Sequence, residues 1–324
     1  MPSYRVAVDT EDPSDGDIPP SRIVGILCTY RRPAEAVLAV ERLAGQTRRP
    51  DLVVVVDNAS DTALRSRLTE VAAATEVPLR YVDPGANVGP AGAFSLAFEL
   101  IGDTLGDGDL VLHLDDDDPP VDPEQLGALE GALHDAIRRD PSVAGIGLSG
   151  GRLRERTGLI APVEGRTELE DVDHLHGGYL PLYRAGALRE VGGCDASFFY
   201  GFEELELGRR LHLRGHRLLV HNDLMRGVVH LYPKRGRRAM TATVDEDDLG
   251  WSRFHKERNL IRILRRERRW TAVAFTVVVR HVAKPVVAMV RSPRLGWRRL
   301  TLGAQAVVAG LRGSGGIDPR HPPP

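Results

Sequence analysis

Between residues 23 and 139, short apolar runs alternate with segments that have the periodicity of amphipathic helices. The clearest run is Leu52–Val56, which is β-branched and has no polar break, as is typical of a strand covered on both faces. The predicted strands are Ile23–Cys28, Leu52–Val56, Leu79–Val82 and Leu110–Leu114, and the predicted helices are Ala34–Ala44, Thr62–Ala74, Ala91–Ile101 and about 123–139. This alternation predicts an α/β fold, with a mainly parallel sheet and helices on both of its sides.

The second half of the chain has a different pattern. Irregular strands and loops are predicted for residues 150–182. They are followed by predicted helices at Arg184–Val191 and Glu203–Arg214, by short strands at Arg217–Val220 and Val228–Leu231, and by a helical, basic region from Trp251 onward. We therefore divide the chain into a flexible arm at 1–20, a sheet-containing domain at 21–250 with halves 21–150 and 151–250, a basic helical segment at 251–312, and a disordered Gly- and Pro-rich tail at 313–324.

The net charge of −2 hides a strong asymmetry, because residues 251–300 contain 14 Lys or Arg and only two acidic residues. This segment favours a polyanion or an anionic membrane as its neighbour, and a set of solvated helix faces is the alternative. Within it, Trp270–Val290 is interrupted by charged residues, whereas a spanning helix needs about 20 mostly apolar residues. We expect this stretch to lie on a membrane surface rather than span the membrane. Few aromatic residues are interleaved with the cations, so nucleic acid is not an expected partner.

The cysteine content and the N-terminus bear on the compartment. Cys28 and Cys194 are the only two cysteines and form no CxxC pair, which excludes a disulfide framework and a cysteine zinc site. The chain does not begin with basic residues followed by an apolar stretch, so no signal peptide is expected. These features fit the cytoplasm.

Polar residues follow three of the predicted strands, at the point where each strand ends. They are Thr29-Tyr30-Arg31, Asp57-Asn58 and Asp115–Asp118. In open sheets of this kind, ligands bind at the carboxyl ends of the strands. We therefore expect one site built from three loops.

The run Asp115–Asp118 directly follows an apolar strand, which would bring four carboxylates to one point. Carboxylates packed this tightly repel one another unless a cation or a hydrogen-bond network offsets their charge. Mg²⁺ and Mn²⁺ take oxygen ligands and keep coordination sites open for substrate phosphates. Alternate residues, Asp115 and Asp117, could reach a common ion while Asp116 turns away. The alternatives are an exposed acidic turn and a weak calcium loop, although the twelve-residue spacing of a helix-loop-helix calcium site is missing.

Six motifs in order carry a resemblance to a known family. They are Cys28–Pro33, Gln46-Thr47 before Val55–Asp61, Asn87–Ala93, Leu114–Asp117, Phe198–Leu207, and His230 at the end of a predicted strand. With these motifs, roughly residues 22–265 resemble a family 2 glycosyltransferase of the GT-A fold. Within that family the chain is most similar to the branch of bacterial rhamnosyl- and galactofuranosyltransferases. The resemblance implies that residues 21–250 form a catalytic domain, with a donor half at 21–150 and an acceptor half at 151–250.

The resemblance also implies roles for individual residues. The donor-binding residues would be Thr29, Tyr30, Arg31, Asp57, Asn58, Asn87, Asp115 and Asp116, and the metal ligands would be Asp115, Asp117 and His230. The catalytic base would be one of the pair Glu203-Glu204, where the family usually has Glu followed by Asp, so the sequence leaves both open. Gly92 and Ala93 could border the donor or could serve helix packing. Arg258-Asn259 could contact phosphates or pack, and His176–Tyr179 could shape the acceptor pocket.

The activity implied by the resemblance is an inverting transfer of a sugar from a UDP- or dTDP-linked donor, with Mn²⁺ or Mg²⁺ as the cofactor. The acceptor would be a hydroxyl of a glycan or a lipid-linked saccharide in cell-surface glycan synthesis. The basic helices would hold the enzyme, as a peripheral protein, at the inner face of the cell membrane. Two alternatives are a nucleotidyltransferase and a non-catalytic, membrane-associated protein that binds nucleotide sugars. The absence of glycine between Gly25 and Gly45 counts against the nucleotidyltransferase.

Overall fold

A computed structural model describes residues 21–163, 165–232 and 250–323. The predicted arm at 1–20 lies outside this range, as does a stretch of the predicted catalytic domain at 233–249. Within the described residues the structure has an eight-stranded sheet in the order β3-β2-β1-β4-β10-β5-β11-β8 and a three-stranded sheet in the order β7-β6-β9. The strands are β1 (Ile23–Thr29), β2 (Leu52–Asp57), β3 (Leu79–Val82), β4 (Leu110–Asp115), β5 (Val143–Gly147), β6 (Gly150–Leu153), β7 (Ile160–Pro162), β8 (Leu169–Val172), β9 (His174–Leu175), β10 (Leu182–Arg184) and β11 (Arg217–His221).

The helices of the sheet-containing domain cover the large sheet. They are α1 (Pro33–Ala44), α2 (Thr62–Thr75), α3 (Gly89–Ile101), α4 (Gln125–Arg139), α5 (Ala185–Val191), α6 (Glu203–Leu213) and α7 (Asn222–Val228). The C-terminal helices are α8 (Trp251–Arg266), α9 (Trp270–Thr276), a π-helical segment (Val277–Ala283), α10 (Lys284–Arg291) and α11 (Pro293–Arg312). The predicted α/β class is confirmed, because β3, β2, β1 and β4 are parallel and only β10 and β8 run against their neighbours in this sheet.

Both faces of the central strands are buried, as the apolar sequence of Leu52–Val56 predicts. Along β2, Val53 and Val55 pack into one hydrophobic cluster, while Val54 and Val56 pack into a second cluster on the other face. Side chains alternate between the two faces of a strand, so an unbroken valine run can fill two cores at once. The central strands are thereby fixed in register, and the residues that follow them are held in place.

The predicted strand Val228–Leu231 is wrong. Residues 222–228 form helix α7, and residues 229–231 form a turn. The ring of His221 accepts a hydrogen bond from the backbone N–H of Leu224 at 3.3 Å, which caps the start of the helix. Leu224, Met225 and Val228 then pack against the sheet at helical spacing, so the short apolar run belongs to a helix face.

The C-terminal helices are joined to the sheet-containing domain by a hydrophobic cluster. Leu260 and Leu264 of α8 pack in it with Phe198 and with Leu205 of α6. The predicted basic helical segment at the C-terminus is therefore present, and it packs against the sheet-containing domain. The expected disordered tail also differs from the structure: the ring of His321 stacks on Phe254 with ring centres 4.2 Å apart.

A network of buried charges crosses the same boundary. The guanidinium of Arg209 on α6 donates to both carboxylate oxygens of Glu267, at 2.7 and 2.8 Å, and to Asp173 at 2.5 Å. The side chains of Arg209 and Glu267 are only 5% and 7% exposed. Because a buried charge is costly without its partner, this network ties the helix that carries Glu203-Glu204 to the end of α8.

The run Trp270–Arg291 is helical throughout its 22 residues and, by length and composition alone, could cross a membrane. The sequence analysis expected this stretch not to span a membrane because charged residues interrupt it. The length and composition of the helix do not exclude spanning. Little of this helix is buried, and a row of valines at Val278, Val282, Val286 and Val290 is exposed.

Candidate active site

Three strand ends meet at one edge of the large sheet. In the register of the parallel strands, Thr29 of β1 lies beside Asp57 of β2, and Cys28 lies beside Asp115 of β4. The polar residues after these strands are therefore neighbours, because parallel strands end at the same edge. A cavity of about 1000 Å³ opens there and extends beneath the C-terminal helices.

The side chains of the acidic run Asp115–Asp118 have different surroundings. Asp116 is 6% exposed, and its carboxylate accepts hydrogen bonds from Thr29 Oγ1 at 2.8 Å and from Arg32 Nη1 at 3.0 Å. Arg32 Nη1 also donates to Asp117 Oδ2 at 2.7 Å. Asp116 thus turns toward β1, while Asp115 faces Glu204. Burial, then the charges of Glu204 and of the neighbouring carboxylates, raise the pKa of Asp115 well above its usual value.

The residue that reaches the acidic run from the first loop is Arg32 rather than Arg31. Arg31 has a positive φ of 56° and is exposed, with its guanidinium over the ring of Tyr30 at 5.0 Å from the ring centre. Arg32 lines the cavity with Thr29 and Tyr30, and Arg31 does not. The contact of Arg31 with donor phosphates stays a prediction, and Arg32 is the neighbouring arginine that lines the cavity.

Asp57 does not line the cavity. It is fully buried, and its carboxylate accepts hydrogen bonds from the backbone N–H groups of Ala59 and Asp61 and from the hydroxyl of Tyr81, at 2.7–2.8 Å. These bonds hold the turn after β2, and the expected contact of Asp57 with a donor base or ribose stays a prediction.

Asn58 and Asn87 do line the cavity, and they fix the loop that begins α3. Asn58 Oδ1 accepts a hydrogen bond from the N–H of Val88 at 2.8 Å, and Asn87 Oδ1 accepts one from the N–H of Gly89 at 2.9 Å. Gly89 has a φ of +70°, and a Cβ there would overlap the carbonyl oxygen of Phe199. Only glycine lets this loop pass so close to residues 199–202.

Glu203 and Glu204 begin α6, and both line the cavity. Glu204 Oε1 accepts a hydrogen bond from the N–H of Gly177 at 3.3 Å. A Cβ at Gly177 would lie 2.9 Å from Asp115 Oδ2 and 3.0 Å from Glu204 Oε1, so the two carboxylates face each other across this glycine. Glu203 is 7% exposed, and its Oε2 is buried without a hydrogen-bond partner. Burial raises the pKa of Glu204, and burial together with the charge of Glu204 raises the pKa of Glu203.

The loop before α6 is strained and is held from behind. Phe199 and Phe202 have φ values of 61° and 66°, which are rare for side-chain-bearing residues. Asn259 Nδ2 lies 2.8–3.1 Å from the carbonyl oxygens of Phe198, Tyr200 and Gly201. Arg258 Nη2 donates to the carbonyl of Phe198 at 3.1 Å. The Arg-Asn pair therefore supports the loop and does not face the cavity, which decides between the two roles left open by the sequence.

The two histidines named in the sequence analysis, His176 and His230, lie in different places relative to the cavity. His230 is exposed on the turn after α7 and does not line the cavity, so its expected place as a metal ligand is not supported. His176 lines the cavity beside Gly177 and Gly178, and its Nδ1 lies 2.9 Å from Ser149 Oγ. Burial lowers the pKa of His176 to about 4, so the ring is neutral at physiological pH.

Within the described residues, no group of three or more His, Cys, Asp or Glu side chains can hold a metal ion by itself. The clustered carboxylates of Asp115 and Asp117 nevertheless fit a Mg²⁺ or Mn²⁺ ion that takes one or two protein ligands and completes its shell with substrate phosphates and water. Burial and the neighbouring carboxylates raise the pKa of Asp115, and a bound cation would offset this negative charge.

Comparisons with known proteins agree with the resemblance in sequence. Residues 26–136 match the model of glycosyl transferase family 2. The chain is 28% identical over 200 residues to the galactofuranosyltransferase GlfT1 of Mycobacterium tuberculosis (strain H37Rv), covering 58% of this chain and 64% of the relative. With GlfT1 of Mycolicibacterium smegmatis it is 28% identical over 203 residues, covering 58% and 65%. The match thus spans less than two thirds of the length of these relatives.

Solved structures share the fold at low identity. The mannosyltransferase PcManGT of Pyrobaculum calidifontis, solved with GDP-Man and Mn²⁺, has a TM-score of 0.52 at 18% identity, covering 91% of this chain and 90% of that one. GalNAc-T7, solved with UDP, GalNAc and Mn²⁺, has a TM-score of 0.56 at 14% identity, covering 86% and 55%. With the sheet, the acidic strand end and the family match together, the chain has the GT-A fold, its residues 26–136 match glycosyl transferase family 2, and it is similar to the mycobacterial galactofuranosyltransferases.

Proposed function

We propose that this protein is an inverting glycosyltransferase that moves a sugar from a nucleotide-diphosphate donor to a hydroxyl of a glycan or lipid-linked acceptor in cell-surface glycan synthesis. The observation that carries the proposal is the pair Asp115 and Glu204, which face each other across Gly177 in one large cavity at the strand ends. The GDP-Man in PcManGT, the UDP and GalNAc in GalNAc-T7, and the name of GlfT1 as a galactofuranosyltransferase support the substrate class.

The donor half supplies binding. Thr29, Tyr30, Asn58 and Asn87 line the cavity and would contact the nucleotide, and Arg32, which also lines it, would contact the donor phosphates. Asp115 and Asp117 would hold a divalent cation, and that ion would supply charge neutralisation to the departing diphosphate. Asp116 orients Arg32 and Thr29 through the hydrogen bonds described above.

Glu204 is our choice for the base. The N–H of Gly177 orients its carboxylate next to Asp115, which is where the acceptor hydroxyl must meet the donor sugar. In the proposed reaction Glu204 takes the proton of the hydroxyl, and the hydroxyl oxygen forms a bond to the anomeric carbon. The bond from that carbon to the diphosphate oxygen breaks, and its electron pair leaves with the nucleoside diphosphate.

The test compares Glu204→Gln with Glu203→Gln. Loss of a general base costs about 10²–10⁴-fold in rate, so Glu204→Gln should lose transfer by at least about 100-fold while keeping the donor affinity measured by calorimetry with Mn²⁺. If Glu203→Gln loses transfer and Glu204→Gln keeps it, the assignment of the base is reversed. Asp117→Ala should weaken the metal-dependent binding of the donor, and retained turnover in that variant would count against its role as a ligand.

We also propose that the exposed valine row rests on the cytoplasmic face of an anionic membrane. Val282, Val286 and Val290 recur at helical spacing and are 45–86% exposed on a helix flanked by basic residues, the pattern of an interfacial helix. Val286→Glu with Val290→Glu should move the protein from vesicles of anionic lipid to the supernatant in a sedimentation assay. Leu213→Glu, at a site 66% exposed on the catalytic domain, is the control that should leave binding unchanged.

A further inference from the structure

The Gly- and Pro-rich residues that follow α11 turn back and run along α8. Gly313 and Gly316 have φ values of 77° and 68°, which residues with a side chain rarely adopt. Farther along, the ring of His321 stacks on the buried ring of Phe254 in α8, with the ring centres 4.2 Å apart. We call residues 313–323 the C-terminal strap. It is fixed at one end by α11 and at the other by α8.

The C-terminal strap contacts the loop that leads to the candidate base. The backbone N–H of Gly316 donates a hydrogen bond to the carbonyl oxygen of Ser197 at 2.7 Å. A Cβ at Gly315 would lie 2.9 Å from both the Cβ and the carbonyl oxygen of Ser197, so the two backbones are in close contact. The loop that begins at Ser197 ends at Glu203 and Glu204, the first residues of α6. The strap therefore touches the segment that delivers both carboxylates to the cavity.

Arg258 of α8 joins the strap to this loop. Its Nη1 donates to the carbonyl oxygen of Gly316 at 2.6 Å, and its Nη2 donates to the carbonyl oxygen of Phe198 at 3.1 Å. Its Nε donates to Oδ1 of Asn259 at 3.1 Å. The side chain of Arg258 is 1% exposed, and a buried guanidinium is stable only where its N–H groups have acceptors. The strap supplies one of these acceptors, so its removal would disturb the support of the loop.

A second connection passes through His255. The backbone N–H of Asp318 donates to Nε2 of this ring at 3.4 Å, and Nδ1 donates to the carbonyl oxygen of Trp251 at 2.8 Å. Burial lowers the pKa of His255 to about 4, so the ring is neutral at physiological pH and can accept at Nε2. Its centre lies 5.3 Å from the centre of the Phe199 ring, in the strained part of the loop. Beyond this contact, Pro323 of the strap lines the cavity.

We propose that the C-terminal strap is a positioning element for the base, and that it holds the loop 197–202 in the strained conformation that places Glu204 beside Asp115. This inference rests on the proposed function. The two positive φ values of side-chain-bearing residues in this loop are unfavourable and persist only where the surrounding structure enforces them. Helix α8 holds carbonyl groups within the loop, and the strap adds a bond to its first residue and an acceptor for the buried guanidinium behind it.

The test compares the native chain, a chain that lacks residues 314–324, and Gly315→Ala. Gly315 has no positive φ, so the new Cβ acts through its contact with Ser197. Gly108→Ala, whose Cβ would meet nothing within 4 Å, is the matched control. Each chain is measured for kcat, for donor affinity by calorimetry with Mn²⁺, for unfolding in urea, and for hydrogen exchange of the backbone N–H groups of residues 197–206 and of α2.

The expected result is a loss of rate without a loss of donor binding. A misplacement of about 1 Å costs about 10²-fold in rate, so kcat should fall by about 100-fold without the strap and by about tenfold in Gly315→Ala. Donor affinity should match the native chain, because the proposed donor-binding residues lie at the strand ends. Hydrogen exchange should be faster in residues 197–206 and unchanged in α2. The control should match the native chain in every measurement.

The other outcomes overturn the proposal. Native kcat in the folded chain without the strap does so, and so does a fall in kcat with an equal fall in donor affinity, because the whole site is then disturbed. If removal of the strap unfolds the protein, Gly315→Ala decides by the same criteria. If the native chain turns over no donor, the proposed function fails instead; hydrogen exchange then decides about the strap alone, and unchanged exchange in residues 197–206 overturns its positioning role.

Discussion

The glycine at position 177 gives a direct test of the site's geometry. In Gly177→Ala, the new Cβ would lie 2.9 Å from Asp115 Oδ2 and 3.0 Å from Glu204 Oε1. These distances are roughly 0.5 Å shorter than ordinary van der Waals contact. Gly177 has no positive φ in the structure, so alanine brings no backbone strain of its own. The variant therefore perturbs the two proposed catalytic carboxylates and little else.

The expected effect is on rate. Asp115 and Glu204 line the cavity, so both can move into its open space without unfolding the protein. A misplacement of about 1 Å can cost about 10²-fold in rate, and we expect a shift of roughly half that size to lower kcat by about tenfold. In free energy this is a loss of about 1.4 kcal/mol of transition-state stabilisation.

The assay is metal-dependent release of nucleoside diphosphate in the presence of membrane acceptor, with unfolding in urea measured on the same samples. Gly108→Ala is the matched control, because Gly108 also lies in a loop without a positive φ and a Cβ there would meet nothing within 4 Å. The control should keep the native rate. A Gly177→Ala enzyme that is folded and fully active would refute the account of Asp115 and Glu204 as a catalytic pair.

The remaining predictions concern stability, measured by urea unfolding. Glu267→Gln removes one charge from the buried network of Arg209 and should lower the free energy of unfolding by about 3 kcal/mol, because the guanidinium then keeps only Asp173 as an ion-pair partner. A loss below about 0.5 kcal/mol would show that this network does not stabilise the contact between α6 and the end of α8. Gly310→Ala should cost about 1–3 kcal/mol, because its Cβ would lie 2.7 Å from the Arg258 carbonyl oxygen where α11 packs on α8. Gly131→Ala, where a Cβ on α4 would point into open space, should instead raise the free energy of unfolding by about 0.5–1 kcal/mol. Equal effects of the two substitutions would contradict the close packing of α11 on α8 at Gly310.

The sheet and the edge of the site could be predicted because they follow from short-range rules. Apolar runs such as Leu52–Val56 determine buried strands, and parallel strands end at one edge, so the residues after β1, β2 and β4 had to meet. The family resemblance then assigned chemistry to Asp115–Asp118 and Glu203-Glu204. The strand prediction and the motif comparison both depend only on which residues follow one another along the chain, and this order is given by the sequence.

Side-chain direction and distant partners could not be obtained in this way. Arg31 and Arg32 differ only in the backbone turn that sends one outward and the other to Asp116. Asp57 lies at the expected strand end, yet the hydroxyl of Tyr81 and two backbone N–H groups already occupy its carboxylate. A run of apolar residues before His230 fits a strand or a helix equally, and the cap from His221 decides between them.

The places of the individual basic side chains in residues 251–300 could not be predicted from the sequence for a different reason. The charge of residues 251–300 is plain in the sequence, but some of its polar side chains are buried against the catalytic domain while others line the cavity. Arg258 and Asn259 are 1% and 0% exposed and serve the loop before α6, whereas Arg253 and Lys256 on the same helix face the site. Only the packing of α8 separates the two groups.

The most direct test of the central claim is a donor screen. Purified protein is incubated with a panel of nucleotide sugars and with Mn²⁺ or Mg²⁺, with and without membrane lipid extract, and released nucleoside diphosphate is measured. The account predicts release that requires the metal, selects one donor and increases with the extract. Folded protein that neither binds nor turns over any nucleotide sugar under these conditions would contradict it.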